Sequence, residues 1–313
     1  MVETTPGIPA ENPSVEAPAP ARRFLGRLAP TPGSATWYYR RSWLGMAAAI
    51  VVALFVFGAV FAPWLTPFAE QGRGTPDLPS RLLAPSFTHW MGTDDLGRDV
   101  LARVLFGART ALMVAVGVVV LAVIVGVLVG AIAGYFGGWV DEVLMRITDT
   151  FLAFPPLLLA VIVAAALGAS LRNTIIAIAV SWWPWYARQV RSQVLSLRER
   201  PFISAVKTIG VPSHTILRRH VIPNAMSPVW VQATADLGAS VLTAAGLSFV
   251  GLGPRPPTAD WGLMISDGRQ LVLSGQWWIA GFAGAAITLV ALAFNLIGDV
   301  VRDVADPKTR GEL

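Results

Sequence analysis

Apolar residues in this chain fall in long unbroken runs, with charge gathered in the stretches between them. A hydrocarbon core about 30 Å thick is crossed by about 20 residues of helix. Six runs approach that length: residues 44–62, ended by Pro63 and Trp64; the run between Arg109 and Asp141; 151–171; 173–187, interrupted by Pro184; 221–253, broken only by Asp236; and the run between Arg269 and Asp299. Backbone in lipid must satisfy its own hydrogen bonds, and these runs lack the alternation of a barrel strand, so they are helices. The expected fold class is all-α, a polytopic membrane protein with about six transmembrane helices.

Composition agrees with this pattern. Of the 313 residues, 54% are hydrophobic and only 14% charged, against about a quarter charged in soluble domains. Cysteine is absent, which excludes a disulfide framework, a thiolate metal site and a cysteine nucleophile. The net charge of +5 and the twelve Trp are those of basic cytoplasmic loops and interfacial aromatics, and no nucleic acid is expected as a partner. Residues 1–36, rich in Pro, Ala, Glu and Thr, do not read as a secretory signal peptide. They are expected to form a disordered cytoplasmic tail.

Six spans with both ends inside put 16 of the 24 Lys and Arg in the inner segments and 8 in the outer ones. This bias predicts cytoplasmic termini. The division of the chain follows: the tail 1–36; the first span and an outer segment, 37–110; the membrane core, 111–300, with a cytoplasmic loop at 187–227; and a cytoplasmic tail, 301–313. Gly126, Gly130 and Gly134 share one helical face, spacing that serves either packing within the chain or subunit dimerisation.

Two polar segments carry more information than a connection needs. Residues 89–112 predict an amphipathic helix, with Thr93 as its cap, Asp94 and Asp95 in the first turn, and salt-linked pairs between Asp95 and Arg98 and between Asp99 and Arg103. Such a helix either lies on the membrane or leads into the second span. In the loop 187–227, Pro201 breaks a basic helix, residues 202–209 make two turns, and Gly210 to Pro212 stop them. Ser213 caps a second short helix over 214–221, which Pro223 ends. The result is either a basic and apolar knob suited to a protein groove or a loop folded only on itself.

These segments carry a resemblance. Gly210, nine residues, then His220, Val221, Ile222 and Pro223 resemble the coupling loop of ABC-importer permeases, which reads roughly E-A-A, three residues, G, nine residues, I-x-L-P. Ala205, Gly210 and Pro223 fit, and Ile222 replaces Leu. Ser204 stands at the Glu position, Val206 at the second Ala and His220 at the Ile. GTDDLGRDVLARVLFGARTAL, residues 92–112, is similar to the signature before the second span in the dipeptide, oligopeptide and nickel subgroup, particularly its C-type permease. Phe154 and Pro155 with Leu157 to Leu159, residues 246–253, Pro256 to Thr258, Trp261 with Gly262, and residues 293–299 with Arg302 and Asp303 resemble later parts of the same pattern. The resemblance runs from about Arg41 to Arg310. One departure is Ala244, where the subgroup usually carries Glu.

The resemblance implies a non-catalytic permease subunit of an ATP-driven importer in the bacterial cytoplasmic membrane. It would form a path for di- or oligopeptides with a second, homologous permease. One or two ABC ATPases would hydrolyse ATP with Mg, since this chain has no P-loop sequence and no cofactor or metal of its own. A solute-binding protein would deliver cargo from outside. It assigns ATPase coupling to Ser204, Ala205, Val206, Lys207, Gly210, Val211, Pro212, His214, Arg218, His220, Ile222 and Pro223. Residues 85–110 and 251–277, with Asp94, Asp95, Arg98, Pro256, Pro257 and Trp261, either meet the binding protein or pack on the partner permease. Asp236 and Ala244 are candidates for the translocation path. A mid-span carboxylate costs about 2.5–3.5 kcal/mol, so Asp236 either faces the path and a cationic group of the solute or sits near the cytoplasmic end and pairs locally. A secondary transporter or channel without ATPases is the alternative reading of the proline-broken fourth span and Asp236.

Overall fold

The structure, a computed structural model, describes residues 43–305; the tail expected at 1–36 and the last residues of the tail at 301–313 lie outside the described residues. All regular structure among the described residues is helical apart from one isolated bridge between Thr93 and Asp99. Helix α1 spans Trp43–Leu65 and α2 Ala69–Arg73; α3 spans Val100–Phe136, α4 Gly138–Leu152, α5 Pro156–Leu167 and α6 Leu171–Arg198. A segment of short helices follows, with α7 at Pro201–Thr208, α8 at Ser213–Ile216, a π turn at Leu217–Val221 and α9 at Ile222–Ala225. The chain ends with α10 at Ser227–Phe249, α11 at Trp261–Gly268 and α12 at Trp278–Ala305.

Each expected run corresponds to a helix or, for the third, to a bent pair. Helices α1, α3 and α12 are long and apolar enough to cross a membrane on those grounds alone; α4 and α5, which meet at 88°, reach that length and apolarity only when taken together, as a broken span or a re-entrant loop. Helices α6 and α10, of 28 and 23 residues, have the length but carry polar side chains. The reason lies in their neighbours: α6 packs most extensively on α3, and α10 on α12, so lipid covers only part of each.

Several boundaries differ from expectation. The third span begins at Gly138, not at 151, and breaks at Ala153 to Pro155 because two successive prolines, Pro155 and Pro156, supply no N–H to the helix ladder. Helix α6 continues through buried Pro184 to Arg198, held on both sides of the proline by packing on α3. The amphipathic helix expected over 89–112 begins only at Val100. Its cap is Asp99, whose Oδ1 accepts the Ala102 N–H at 2.7 Å. Thr93 instead accepts from the Leu83 N–H and donates to the Ser80 carbonyl. Gly92 and Gly97 sit at φ of 74° and 79°, left-handed values that interrupt any helix there.

Three apolar clusters hold the bundle. An outer one joins α1, α3, α11 and α12 through Phe55, Val100, Trp261, Trp278 and Phe294. An inner one joins α3 and α6 to residues 203–229 through Tyr135, Tyr186, Val190, Ile203, Ile216 and Val221. A third packs Val114 and Val118 on α5, α6 and α10. The glycine face of α3 is spent within the chain. A Cβ on Gly126 would overlap that of Tyr186, one on Gly130 would overlap the Ala187 carbonyl oxygen, and one on Gly134 would lie 2.9 Å from the Arg191 carbonyl oxygen. At 37 residues, α3 is about 55 Å long, well beyond the about 30 Å of a membrane core.

Candidate functional site

The segment between α6 and α10 is a small folded unit fastened to the bundle from one side. Ile203 on α7 and Ile216 on α8 are fully buried in the inner cluster with Val221, Ala225 and Val229. The ammonium of Lys207 lies 5.4 Å from the Tyr135 ring centroid, a cation–π contact with the end of α3. Gly210, between α7 and α8, has φ of +79° and nothing within 4 Å of where a Cβ would stand. Its open side faces away from this chain. Ser204, Ala205, Lys207, Pro212, His214, Arg218 and Pro223 are exposed around it, while Val206, Val211, His220 and Ile222 are half-buried.

The helix that Pro223 was expected to end runs on to Ala225, because the π turn before it absorbs the lost N–H. Ser213 makes no side-chain cap; Pro212 holds the cap position. The anchors Ile203, Ile216 and Val221 were not singled out from sequence. Their signal is weak, since each is one apolar residue in a mixed segment and its partners lie on α3 and α6.

On the opposite face, the residues before α3 and those around α11 form one cap. Arg103 is 2% exposed and its guanidinium donates to the carbonyls of Pro257 at 2.8 Å, Thr258 at 3.2 Å and Gly72 at 3.3 Å. The indole N–H of Trp278 donates to the Thr93 carbonyl, that of Trp261 to the Val104 carbonyl, and the Thr110 hydroxyl to the Ala259 carbonyl. His89 and Asp99 meet at 2.9 Å, both buried. Asp94 accepts from the backbone N–H of Leu96 and Arg98 and pairs with the Arg98 side chain at 2.7 Å.

The docking residues expected here therefore divide. Asp94, Arg98 and Trp261 are buried and hold the cap together, so they offer no surface; Asp95 is half-buried, and Pro256 and Pro257 are exposed with Arg255 and Thr258. Of the expected ion pairs, neither Asp95 with Arg98 nor Asp99 with Arg103 forms. Asp94 takes Arg98, and Asp99 takes His89. Asp260 caps α11, its Oδ1 accepting from the Leu263 N–H at 2.9 Å. Burial pushes its carboxyl above the usual range, and that N–H opposes the shift only in part.

Between the two faces lies Asp236. It is the tenth residue of α10, about 14 Å from the start of a 23-residue helix and so near its middle. The Tyr186 hydroxyl of α6 donates to its Oδ2 at 2.5 Å, and the Gln232 amide donates to its Oδ1 at 2.8 Å. Gln232, Asp236, Ala239, Thr243 and Gly246 recur at helical spacing, exposed or half-buried, with no Cβ neighbour at Gly246. Helix α10 thus presents a narrow polar and small-residue stripe outward from this chain. Ala244 lies off that stripe. It is 6% exposed and packed against Val114, Ala160, Ala177 and Leu247, so its side chain faces the bundle interior. Toward the α7 side, Arg188 with Asp149 at 2.6 Å and Arg191 with Asp141 at 2.5 Å tie α6 to α4.

Comparison with known proteins places this geometry. Residues 126–311 match the family of binding-protein-dependent transport system inner membrane components. Residues 32–85 match the N-terminal transmembrane domain of oligopeptide transport permease C. The chain is 40% identical, over 97% of its length and 98% of the relative's, to a probable D,D-dipeptide transport system permease protein of Escherichia coli K12. It is 41% identical to a dipeptide transport system permease protein of Alkalihalophilus pseudofirmus, over 87% of this chain and 88% of that one. With a glutathione transport system permease protein of Shigella flexneri it shares 44% identity, over 90% and 92%.

Proposed function

Because this chain belongs to the binding-protein-dependent transport system inner membrane components, as a multi-pass permease subunit of an ABC importer, we propose that its solutes are short peptides. The observation that carries this is the similarity over nearly the whole chain to a permease named for D,D-dipeptides, together with those named for dipeptides and glutathione. A second permease completes the path, one or two ABC ATPases bind and hydrolyse ATP with Mg, and an extracytoplasmic binding protein brings the peptide. Both termini lie in the cytoplasm.

Residues 201–225 are the contact with the ATPase. The open side of Gly210 and the exposed Ser204, Ala205, Pro212 and His214 meet its surface, while Ile203, Ile216 and Val221 fasten the segment to α3 and α6. Closure of the ATPases on ATP displaces the segment, and the inner cluster carries the displacement into both helices as rigid levers. The polar stripe of α10, with Asp236, lines the path. Asp95, Pro256 and Pro257 face the binding protein.

The test is purification of a tagged copy from its native membrane in mild detergent, with mass spectrometry of what accompanies it. A second permease and an ATPase are the expected companions. The chain recovered alone and stable, with no ATPase even after cross-linking, would overturn the coupling role of Gly210.

A further inference from the structure

A carboxylate in the middle of a spanning helix is expensive to place, and among the described residues none of the ion pairs includes Asp236. Its two hydrogen bonds come from neutral donors, the Tyr186 hydroxyl on one oxygen and the Gln232 amide on the other. They orient the group without cancelling its charge. An ionised carboxylate accepts about four hydrogen bonds, so each oxygen retains a second lone-pair direction. The surface around it bears Gln232, Ala239, Thr243 and Gly246, none of them cationic.

The two donors differ in how firmly they are held. Tyr186 is 1% exposed, wedged against Gly126 and fixed in the inner cluster. Gln232 is exposed, one turn away on the same helix as Asp236. The carboxylate is thus fixed from the α6 side and open along the stripe.

We infer that Tyr186, Asp236 and Gln232 form a recognition site for a primary ammonium group of the solute within the translocation path. Asp236 binds the cation, and Tyr186 is a positioning residue for the carboxylate. The inference rests on the reading of α10 as a path-lining helix. An ammonium offers three N–H donors and no acceptor, the complement of the lone pairs that Tyr186 and Gln232 leave. Charge-assisted bonds of this kind are about twice as strong as neutral ones. The N-terminus of a peptide is such a group.

The chain has no cysteine, so Ala239→Cys places its single thiol one turn from Asp236 on the stripe. Inside-out vesicles carrying the whole complex, without binding protein or ATP, are treated with a small alkylating reagent. Labelling of this subunit is followed by mass spectrometry, with alanyl-alanine or its N-acetyl derivative at millimolar concentration. The free-amine peptide is expected to slow alkylation about tenfold more than the acetylated one. With Asp236→Asn added the two peptides act alike. With Tyr186→Phe, which keeps the ring and its packing, the ratio falls to about threefold.

A thiol that reacts but is protected equally by both peptides, or a preference that survives Asp236→Asn, overturns ammonium recognition and leaves the path reading standing. A thiol that never reacts overturns the path reading itself. If Asp236→Asn instead separates this subunit from its partner permease on purification, the carboxylate pairs with a subunit cation and the proposal is overturned.

Discussion

Gly130 of α3 lies so close to Ala187 of α6 that an added Cβ would overlap the Ala187 carbonyl oxygen. Backbone is the one neighbour that cannot swing aside. Gly130→Ala is therefore expected to cost about 1–3 kcal/mol through overpacking. Gly246→Ala, where nothing stands within 4 Å, should be neutral or slightly stabilising within this chain, alanine being the better helix former by about 1 kcal/mol. Thermal unfolding of the two variants, followed by tryptophan fluorescence, should separate them; equal midpoints would mean that the α3–α6 seam is loose.

Gly210 separates backbone strain from contact. At φ of +79° a β-branched residue pays about 1–2 kcal/mol or more, while Asn tolerates the conformation. Gly210→Asn is expected to keep the segment folded and to reduce transport mildly. Gly210→Trp should assemble with its partners yet abolish uptake and the stimulation of ATP hydrolysis by binding protein. Normal uptake by Gly210→Trp would remove the coupling role.

Arg103 of α3 staples the Gly72 carbonyl of α2 to the loop at Pro257 and Thr258, which lies about 150 positions further along the chain from Arg103. Arg103→Met preserves much of the volume but leaves the carbonyls of Gly72, Pro257 and Thr258 without their donor. The expected loss is about 2 kcal/mol or more, localised at the cap. Limited proteolysis near Arg255 should speed up in the variant before the bundle as a whole unfolds; cleavage at the parent rate would show that the loop is held by other contacts.

Asp260 contributes a pH dependence of known sign. Its folded carboxyl titrates above the unfolded value because of burial. The contribution to stability is thus complete below the ordinary carboxylate pKa and is lost as pH rises through the folded value. Asp260→Asn retains a capping oxygen and removes the charge, so its stability relative to the parent should improve steadily from acid to neutral pH. Asp260→Ala removes the charge and the cap together and should lie about 1 kcal/mol below Asp260→Asn at every pH. Unfolding midpoints across the pH series decide this, and a parent–Asn difference that stays constant with pH would show that the carboxyl is not strained by burial.

Orientation is open to direct labelling because the chain lacks cysteine. Ser204→Cys and Pro256→Cys both place a thiol on an exposed position. In right-side-out vesicles a membrane-impermeant maleimide should modify the second and spare the first, and inside-out vesicles should reverse the result. The opposite pattern would invert the topology.

The spans were legible in the sequence because lipid imposes a local requirement: each stretch of backbone must close its own hydrogen bonds over a run of apolar residues. Run length and charge therefore located the helices, and glycine spacing located the close seam. Boundaries were less legible wherever proline or glycine intervened. Pro184 reads as a break yet lies inside α6, and Thr93 reads as a cap yet Asp99 does the capping. In each case a contact from another part of the chain decided, the packing of α3 at Pro184 and the Ser80 and Leu83 backbone groups at Thr93.

The sequence alone determined the helical class, the number of apolar runs and the presence of one carboxylate within the fifth run. Tertiary structure alone decided which charged residues are surface and which are scaffold. Asp94, Arg98 and Arg103 look like an exposed charged helix, but all three are buried: Asp94 accepts from Arg98 in the loop before α3, and Arg103 donates to carbonyls that the fold brings to it. Likewise Asp236 and Ala244 share a helix, and only the placement of α5 and α6 buries one and leaves the other beside Tyr186. Apolar periodicity is a property of neighbours in sequence. The burial of a polar group depends on partners supplied from distant positions, and those exist only once the chain has folded.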